Sequence, residues 1–183
     1  IGNTYQEGLR LTNKFNRSTV GVALNPSFLK DHLKFKLNAN YTNEKNRFAD
    51  GVEGAALAFD PTQPVYAANS VYGGFFEYYN PLNNELTPQT PRNPVAQLMQ
   101  TYDTGVSNRF FGNFEMDYKF HFLPELRAVV NVGFDETNGG RSRRAGLDVA
   151  SSGSNNNIPY GTNEYTEEKR RNKLLDFYLN YNK

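Results

Sequence analysis

The sequence lacks cysteine and tryptophan, and no part of it approaches the run of about 20 apolar residues that a membrane-spanning helix requires. The absence of cysteine excludes a disulfide scaffold and a thiolate metal site. The formal net charge is only +1, so no strong field favours nucleic acid as a partner. No signal peptide is visible, because residues 1–4 are neither charged nor followed by an apolar stretch. We expect an excerpt of a longer protein, since the chain has no initiating Met and ends within a strand-like pattern.

Aromatic residues are abundant although the chain is polar. The 183 residues include 14 Phe and 12 Tyr at a mean hydropathy of −0.71. Disordered chains are poor in aromatic residues, so simple disorder is excluded. The folded structure of this chain must therefore depend on a sequence pattern other than long apolar runs.

That pattern is alternation of apolar and polar residues. It is clearest over 109–122, where even positions from Phe110 to Phe122 are apolar or small and odd positions are mainly polar. A period of two predicts a strand, and this one exceeds the 9–11 residues or so that cross a membrane. After a tight turn at 123–125, a second strand is predicted over 126–135. An earlier hairpin is predicted from 19–24 and 33–41, and a last strand from 173–181.

The connections between these hairpins are of two kinds. Short turns join the strands within each hairpin, whereas polar segments of about 44–108 and 137–172 join the hairpins. Structureless connections of this length are unusual in a compact soluble domain. Short turns at one end and long loops at the other are typical of outer-membrane barrels. One helix is predicted in the first loop, capped by Asn93 and starting at Pro94.

Alternation alone does not say which face of the strands meets water. In a soluble sandwich the apolar face is the core, whereas in a membrane barrel it meets lipid and the polar face lines the lumen. Strand length, loop asymmetry and aromatic residues at both ends of the apolar face favour the barrel. Phe28, Phe120 and Phe122 are near the short-turn end, and Tyr41 and Phe110 are near the other. The chain is therefore predicted to be all-β, an antiparallel transmembrane β-barrel fragment.

Five segments of the chain, in order, resemble one family, the SusC/RagA-like TonB-linked outer-membrane transporters. They are Tyr5-Gln6-Glu7-Gly8, the run from Phe15 to Thr19, the strand from Leu33 to Tyr41, the loop piece from Ala58 to Tyr66, and Asn93-Pro94-Val95. The individual motifs are loose, but together they extend over nearly the whole chain.

The resemblance implies a barrel of about 22 strands, of which residues 1–183 would supply five to six with long extracellular loops. It implies the outer membrane of a Gram-negative bacterium and import of oligosaccharides or peptides powered through TonB. A SusD/RagB-like surface lipoprotein would act as a lid. The plug and the TonB-contacting segment have no counterpart in these residues. Two alternatives stay open: a soluble carbohydrate-binding β-sandwich, and a structural outer-membrane barrel without transport.

Two groups of residues are candidate sites. An aromatic stretch around Gly73-Gly74 could stack on sugar rings or on a lid lipoprotein, or could instead pack the loop against itself; it comprises Tyr66, Tyr72, Phe75, Phe76, Tyr78, Tyr79 and Asn80. The polar side chains of the clearest strand would face the lumen, where they could set pore chemistry, pair with one another or hold the plug; they are Arg109, Asn113, Glu115, Asp117 and Lys119.

A further set of basic residues falls in the second predicted loop. Arg141, Arg143 and Arg144 lie at one end of that loop, and 169–171 lie at the other. They could bind lipopolysaccharide phosphates, or could instead pair with Glu164, Glu167 and Glu168.

The sequence offers no motif for catalysis. His32 and His121 are far apart in sequence, at opposite short-turn ends of different predicted hairpins. No serine lies in a nucleophile-elbow context and no glycine loop has the lysine and helix start of a phosphate site. We therefore expect no enzyme activity, no cofactor and no metal site.

Overall fold

The computed structural model describes residues 1–49, 51–152 and 154–182. Six long strands form one antiparallel sheet in which every strand pairs with the next long strand along the chain. They are β1 (Gly2–Glu7), β2 (Lys14–Leu24), β4 (Leu33–Arg47), β5 (Tyr102–Lys119), β6 (Leu126–Ala145) and β9 (Thr162–Tyr181). A short strand, β3 (Ser27–Phe28), pairs with the start of β4. The all-β antiparallel prediction is confirmed, and the meander places successive connections at alternate ends of the sheet.

The two long connections contain the remaining elements. Helices α1 (Glu53–Ala58) and α2 (Pro94–Gln100) lie between β4 and β5, and the ribbon of β7 (Ser154–Asn155) and β8 (Ile158–Pro159) lies between β6 and β9. Helix α2 begins as predicted, because the Asn93 side chain accepts hydrogen bonds from the N–H groups of Val95 and Ala96. Helix α1 was not predicted. Within the described residues, neither helix is long and apolar enough to cross a bilayer.

The strands extend further than the sequence predicted. Strand β5 begins at 102 rather than 109, β6 continues to 145 rather than 135, and β9 begins at 162 rather than 173. The long connections are therefore 48–101 and 146–161, shorter than the predicted 44–108 and 137–172. The reason is that backbone pairing continues where both faces have become polar, so alternation is lost while the hydrogen-bond ladder remains. At the other end, β5 stops at Lys119, and the turn before β6 includes Phe120 and Phe122.

One face of the sheet carries a continuous apolar band. Cross-strand partners share a face, so the register sorts side chains over five strands. The band comprises even positions of 20–24, odd positions of 33–41, even positions of 110–118, even positions of 126–134 and odd positions of 175–181. Many of its side chains are exposed; Leu175 retains 72% and Phe177 66% of full exposure. Among the described residues, no second sheet packs on this band.

The upper border of the band runs diagonally across the strands. Tyr41 pairs with Phe110 at the border, but the next partner in that row, on β6, is Glu136. The last apolar residue of β6 is Phe134, whose partner on β9 is Lys173. The border thus drops by two residues at each of the last two strands. An apolar layer crossed by tilted strands would produce this diagonal.

Candidate functional site

The predicted lumen-facing residues of β5 lie on the face opposite the apolar band, where they pair with neighbouring strands. Arg109 donates two hydrogen bonds to Asp135 at 2.9 and 2.8 Å. Glu115 accepts from Lys36 at 2.9 Å, and Asp117 is paired with Arg127. These partners belong to β4 and β6, so the ion pairs link neighbouring strands rather than joining the five side chains to one another.

A row of amides crosses the same polar face. The Asn38 amide donates to Asn113 at 3.1 Å, and Asn113 donates to Asn131 at 3.4 Å. Asn131 in turn donates to Asp176 at 3.5 Å. The row links β4, β5 and β6 through neutral amides that can both donate and accept, and it ends on β9 at the Asp176 carboxylate, which accepts.

A groove lies on the polar face above these residues. It consists of two depressions of about 500 and 590 Å³, which share Ser107, Thr137 and Arg170. Small residues form its floor, including Gly105 and Gly139. A Cβ atom added at Gly139 would meet nothing closer than 3.9 Å, so the space above this residue is open. Nearly all of the residues that line this groove belong to the strands.

Three aromatic rings on the polar face are each covered by an arginine that is also paired with a carboxylate. The guanidinium of Arg141 lies 4.5 Å from the Phe48 ring centroid and that of Arg109 lies 4.5 Å from Phe111. A third such group consists of Phe15, Arg17 and Glu44. Arg141 donates to Asp103 at 2.8 and 2.7 Å. Phenyl faces beside fixed donors and acceptors suit a ligand that has both apolar and hydroxyl or amide surfaces.

The predicted aromatic stretch lies in the first connection and is divided by burial. Tyr72 and Phe75 are buried, and Tyr72 packs edge-on against Tyr79 at 5.3 Å. Phe76 and Tyr78 are half-buried and contact one another at 5.2 Å. Tyr66 remains exposed at 65%. Packing of the loop against itself therefore accounts for Tyr72 and Phe75.

Asn80, the last residue of the stretch, is also exposed. Its side-chain oxygen accepts the Leu82 N–H at 3.0 Å in a local turn. Tyr66 and Asn80 are thus the two members of the stretch that offer the most surface to a partner.

The two long connections form one lobe. The Leu86 N–H donates to the Asn157 carbonyl at 2.9 Å, which joins the first connection to the second. A small core contains Tyr72 and Leu86 from the first connection and Ala150 from the second. The lobe is therefore a tertiary unit above the sheet rather than two separate loops.

Asn93 is the most connected residue of the lobe. Its side chain caps α2 and donates to the carbonyls of Val65 and Phe76 at 2.8 and 3.2 Å, while its N–H donates to the Glu77 carboxylate at 3.0 Å. Asn93 is only 1% exposed. It thus fixes the aromatic stretch to the start of α2.

Glu77 is a buried carboxyl group in this lobe. One carboxyl oxygen accepts from Asn93, and the other is buried without a hydrogen-bond partner among the described residues. Burial raises the pKa of Glu77 to about 7, against the opposing effects of the Asn93 hydrogen bond and the nearby Arg92 charge.

The raised pKa predicts a lobe that loosens as the pH rises. The folded-state pKa exceeds the unfolded value, so lobe stability falls from about pH 4.5 to about pH 7 and then levels off. We expect Glu77→Gln to remove this dependence and to stabilise the lobe by up to about 3 kcal/mol above pH 8. Hydrogen exchange of lobe peptides in the full-length protein at pH 5.5 and 8.5 would measure it. Glu85→Gln, in the same connection, is the control and should retain the wild-type pH profile.

The predicted basic loop cluster is wrong, because its residues belong to strands that separate them. Arg141, Arg143 and Arg170 lie on the polar face, whereas Arg144, Lys169 and Arg171 lie on the apolar face. The alternative pairing is found in part. Lys169 contacts Glu167 at 3.0 Å, and Arg170 contacts Glu168 at 2.7 Å.

The placement of the two histidines at opposite ends of different hairpins is also wrong. Their rings stack at 4.0 Å with an interplanar angle of 10°. The reason is that β4 pairs with β5 across the two predicted hairpins, which brings the start of β4 beside the end of β5. A group of three or more residues that could hold a metal does not occur among the described residues.

Sequence reasoning missed the groove and the lobe interface. A signal for the groove exists, because Gly105, Ser107, Thr137 and Gly139 are small residues at alternate positions. Recognising it requires the β5–β6 register in this region, and the alternation in the sequence did not extend that far. The contact between Leu86 and Asn157 has no sequence signal.

Comparison with known proteins supports one family. No family model matches the chain. The TonB-dependent receptor SusC of Bacteroides thetaiotaomicron is 37% identical over 99% of this chain and 19% of its own length. The TonB-dependent receptor P26 of Formosa agariphila is 29% identical over 60% of this chain and 10% of its own length. The chain thus spans about a fifth or less of the curated relatives that it matches.

Proposed function

This chain belongs to the SusC-like TonB-dependent receptors, and on that premise we propose that it forms wall strands and outer connections of an outer-membrane importer. The observation that carries the proposal is the sorting of side chains on its sheet. One face is a continuous apolar band, and the other is a paired polar surface with a groove. Lipid on one side and an aqueous lumen on the other would require this division.

The dimensions of the band fit a bilayer. The border drops four residues over the three strand steps from β4 to β9, or about 13 Å along the strands over about 14 Å across them, which corresponds to a tilt near 45°. Phe110 to Tyr118 then covers about 27 Å along β5 and about 19 Å along the membrane normal, and Phe120 and Phe122 of the following turn extend the apolar surface further. Strands of outer-membrane barrels tilt by about 35–45° and carry an apolar band of about 25 Å.

The soluble-sandwich alternative receives no support. A sandwich needs a second sheet on the apolar face, and the described strands form one large sheet and a two-residue ribbon elsewhere. The structural barrel without transport shares the wall geometry. The family membership and the groove on the polar face favour the importer, whose relatives are named receptors rather than enzymes.

We place the substrate in the groove and beneath the lobe. The paired arginines and carboxylates leave the groove with little net charge, which suits an oligosaccharide or a peptide rather than a strongly ionic substrate. In the lobe, Tyr66 and Asn80 are the exposed members that would contact substrate or a lid, and Tyr78 and Tyr79 would support them. The lid would be a SusD/RagB-like lipoprotein. TonB would act through a plug outside the matched region.

Energised uptake by the full-length receptor tests this function. Cells that carry the receptor and its lipoprotein should accumulate a labelled oligosaccharide or peptide, and removal of TonB should abolish accumulation. Uptake that persists without TonB, or a receptor without any effect on uptake, would support the structural-barrel alternative instead.

Filling the groove should reduce uptake. Gly139→Leu places a side chain in open space over the groove floor, so we expect at least a tenfold loss of uptake with normal barrel assembly. Gly140→Leu is the control on the opposite face, where the added side chain must displace the exposed Tyr165 ring, whose hydroxyl lies 3.0 Å from a Cβ atom placed at Gly140. Equal uptake by both variants would show that substrate does not use the groove.

A further inference from the structure

Charged residues above the apolar band are distributed unequally between the two faces. On the face of the band, the strands above its border carry many more basic than acidic side chains. The basic ones, which we term the outward basic belt, are Lys14, Lys45, Arg47, Arg144, Lys169, Arg171 and Lys173. The acidic ones are Glu7, Glu136 and Glu167.

The polar face at the same height is balanced. Its basic residues are Arg17, Arg109, Arg141, Arg143 and Arg170, and its acidic residues are Glu44, Asp103, Asp135, Glu164 and Glu168. Several of these form direct pairs, such as Arg109 with Asp135. The excess of positive charge therefore belongs to the apolar side alone, although both faces come from the same strands.

The belt directly adjoins the band. On β9, the uppermost apolar position of the band is Leu175. The next positions above it on the same face are Lys173, Arg171 and Lys169. Arg171 has one carboxylate partner, Glu136 at 3.0 Å. Among the described residues, Lys45 and Lys173 have no ion-pair partner. An occupant of the band thus meets available positive charge at the level where its apolar part ends.

We propose that the outward basic belt binds the phosphate groups of a phosphorylated glycolipid whose acyl chains cover the apolar band. This inference rests on the proposed outer-membrane location. A lipid satisfies both observations at once, because its chains match the band and its anionic headgroup lies at the border. Guanidinium groups pair with phosphate in two-pronged geometry, and lysines add point charge. The inward arginines, already balanced by carboxylates, do not take part.

Native mass spectrometry of the full-length receptor in detergent would test the belt. The probes are phosphorylated lipid A and the same lipid after removal of its phosphates. We expect Lys169→Gln/Arg171→Gln/Lys173→Gln to retain at least tenfold less phosphorylated lipid A than the wild type. Arg109→Gln/Arg143→Gln/Arg170→Gln removes the same charge from the other face and should retain lipid as the wild type does. The dephosphorylated lipid should bind weakly and equally to all three.

Each other outcome overturns the inference. Equal retention of the phosphorylated lipid by wild type and outward variant would show that the belt does not bind phosphate. Equal losses in both triple variants would indicate a general charge effect. Heat-modifiable migration on a gel distinguishes failure of the belt from failure of the proposed function. A receptor that never forms a barrel contradicts the membrane location itself. An assembled barrel with unchanged lipid retention contradicts only the belt.

Discussion

Val130→Arg should prevent assembly of the full-length receptor in the outer membrane, whereas Asn131→Arg should be tolerated. Val130 lies in the middle of the apolar band on β6, between Met116 and Phe177, and Asn131 lies on the polar face beside Asp176. An arginine on the lipid face at mid-membrane costs about 2–4 kcal/mol. On the polar face, the same side chain gains a carboxylate neighbour. The fraction of receptor that reaches a folded, heat-modifiable form would measure the difference.

A third variant distinguishes a lipid-facing position from a position that is buried inside the protein. Ser142→Arg lies on the same face as Val130 but well above the border of the band. A lipid environment predicts a cost that depends on height, so this variant should assemble normally. If arginine at 130, 131 and 142 had the same effect, the apolar band would not be a lipid-facing surface.

Asn93→Ala should unfold the lobe while leaving the sheet intact. The change removes the cap of α2, worth about 1 kcal/mol. It also removes one donor from each of the part-buried carbonyls of Val65 and Phe76, at about 1 kcal/mol for Val65, which still accepts the Phe76 N–H, and about 1–3 kcal/mol for Phe76. A local destabilisation on the order of 4 kcal/mol follows. Hydrogen exchange should rise across peptides within 54–100, and affinity for substrate or lid should fall.

Two further variants make this prediction specific. Asn83→Ala removes an exposed turn bond to the Glu85 N–H and should have almost no effect. Asn93→Asp keeps the acceptor for the helix cap but loses both donors and adds charge beside buried Glu77. It should therefore be nearly as damaging as alanine. Full stability of Asn93→Asp would mean that only the cap matters.

Alternation was sufficient to predict the sheet where the two faces differ in polarity. The strands around Phe110, Phe35 and Val130 were recognised because apolar side chains occupy every second position. Above the band this contrast disappears; Glu136, Asn138 and Arg144 are polar on the lipid side too. Backbone pairing needs no such contrast. The sequence therefore under-predicted every strand on the side of the long connections.

The candidate sites depended on long-range contacts to different degrees. The polar row of β5 was predictable, because strand parity alone places Arg109, Glu115 and Asp117 together. The partners of these residues required the register. In the lobe, composition identified the aromatic stretch but not which rings are buried, since burial of Tyr72 depends on Leu86 and on Ala150 from another connection. Stacking of His32 on His121 likewise depended on which hairpins are neighbours.

The joined connections constrain how such receptors can diversify or be engineered. Segment 48–101 supplies the N–H of Leu86, and segment 146–161 supplies the carbonyl of Asn157 and the Ala150 side chain that complete the packing. A chimera that exchanges one segment alone would combine two surfaces that do not match where the connections pack together. Exchange of both segments together, with β5 and β6 retained, would transfer both sides of this contact. The two connections thus form a single interchangeable module on a constant wall.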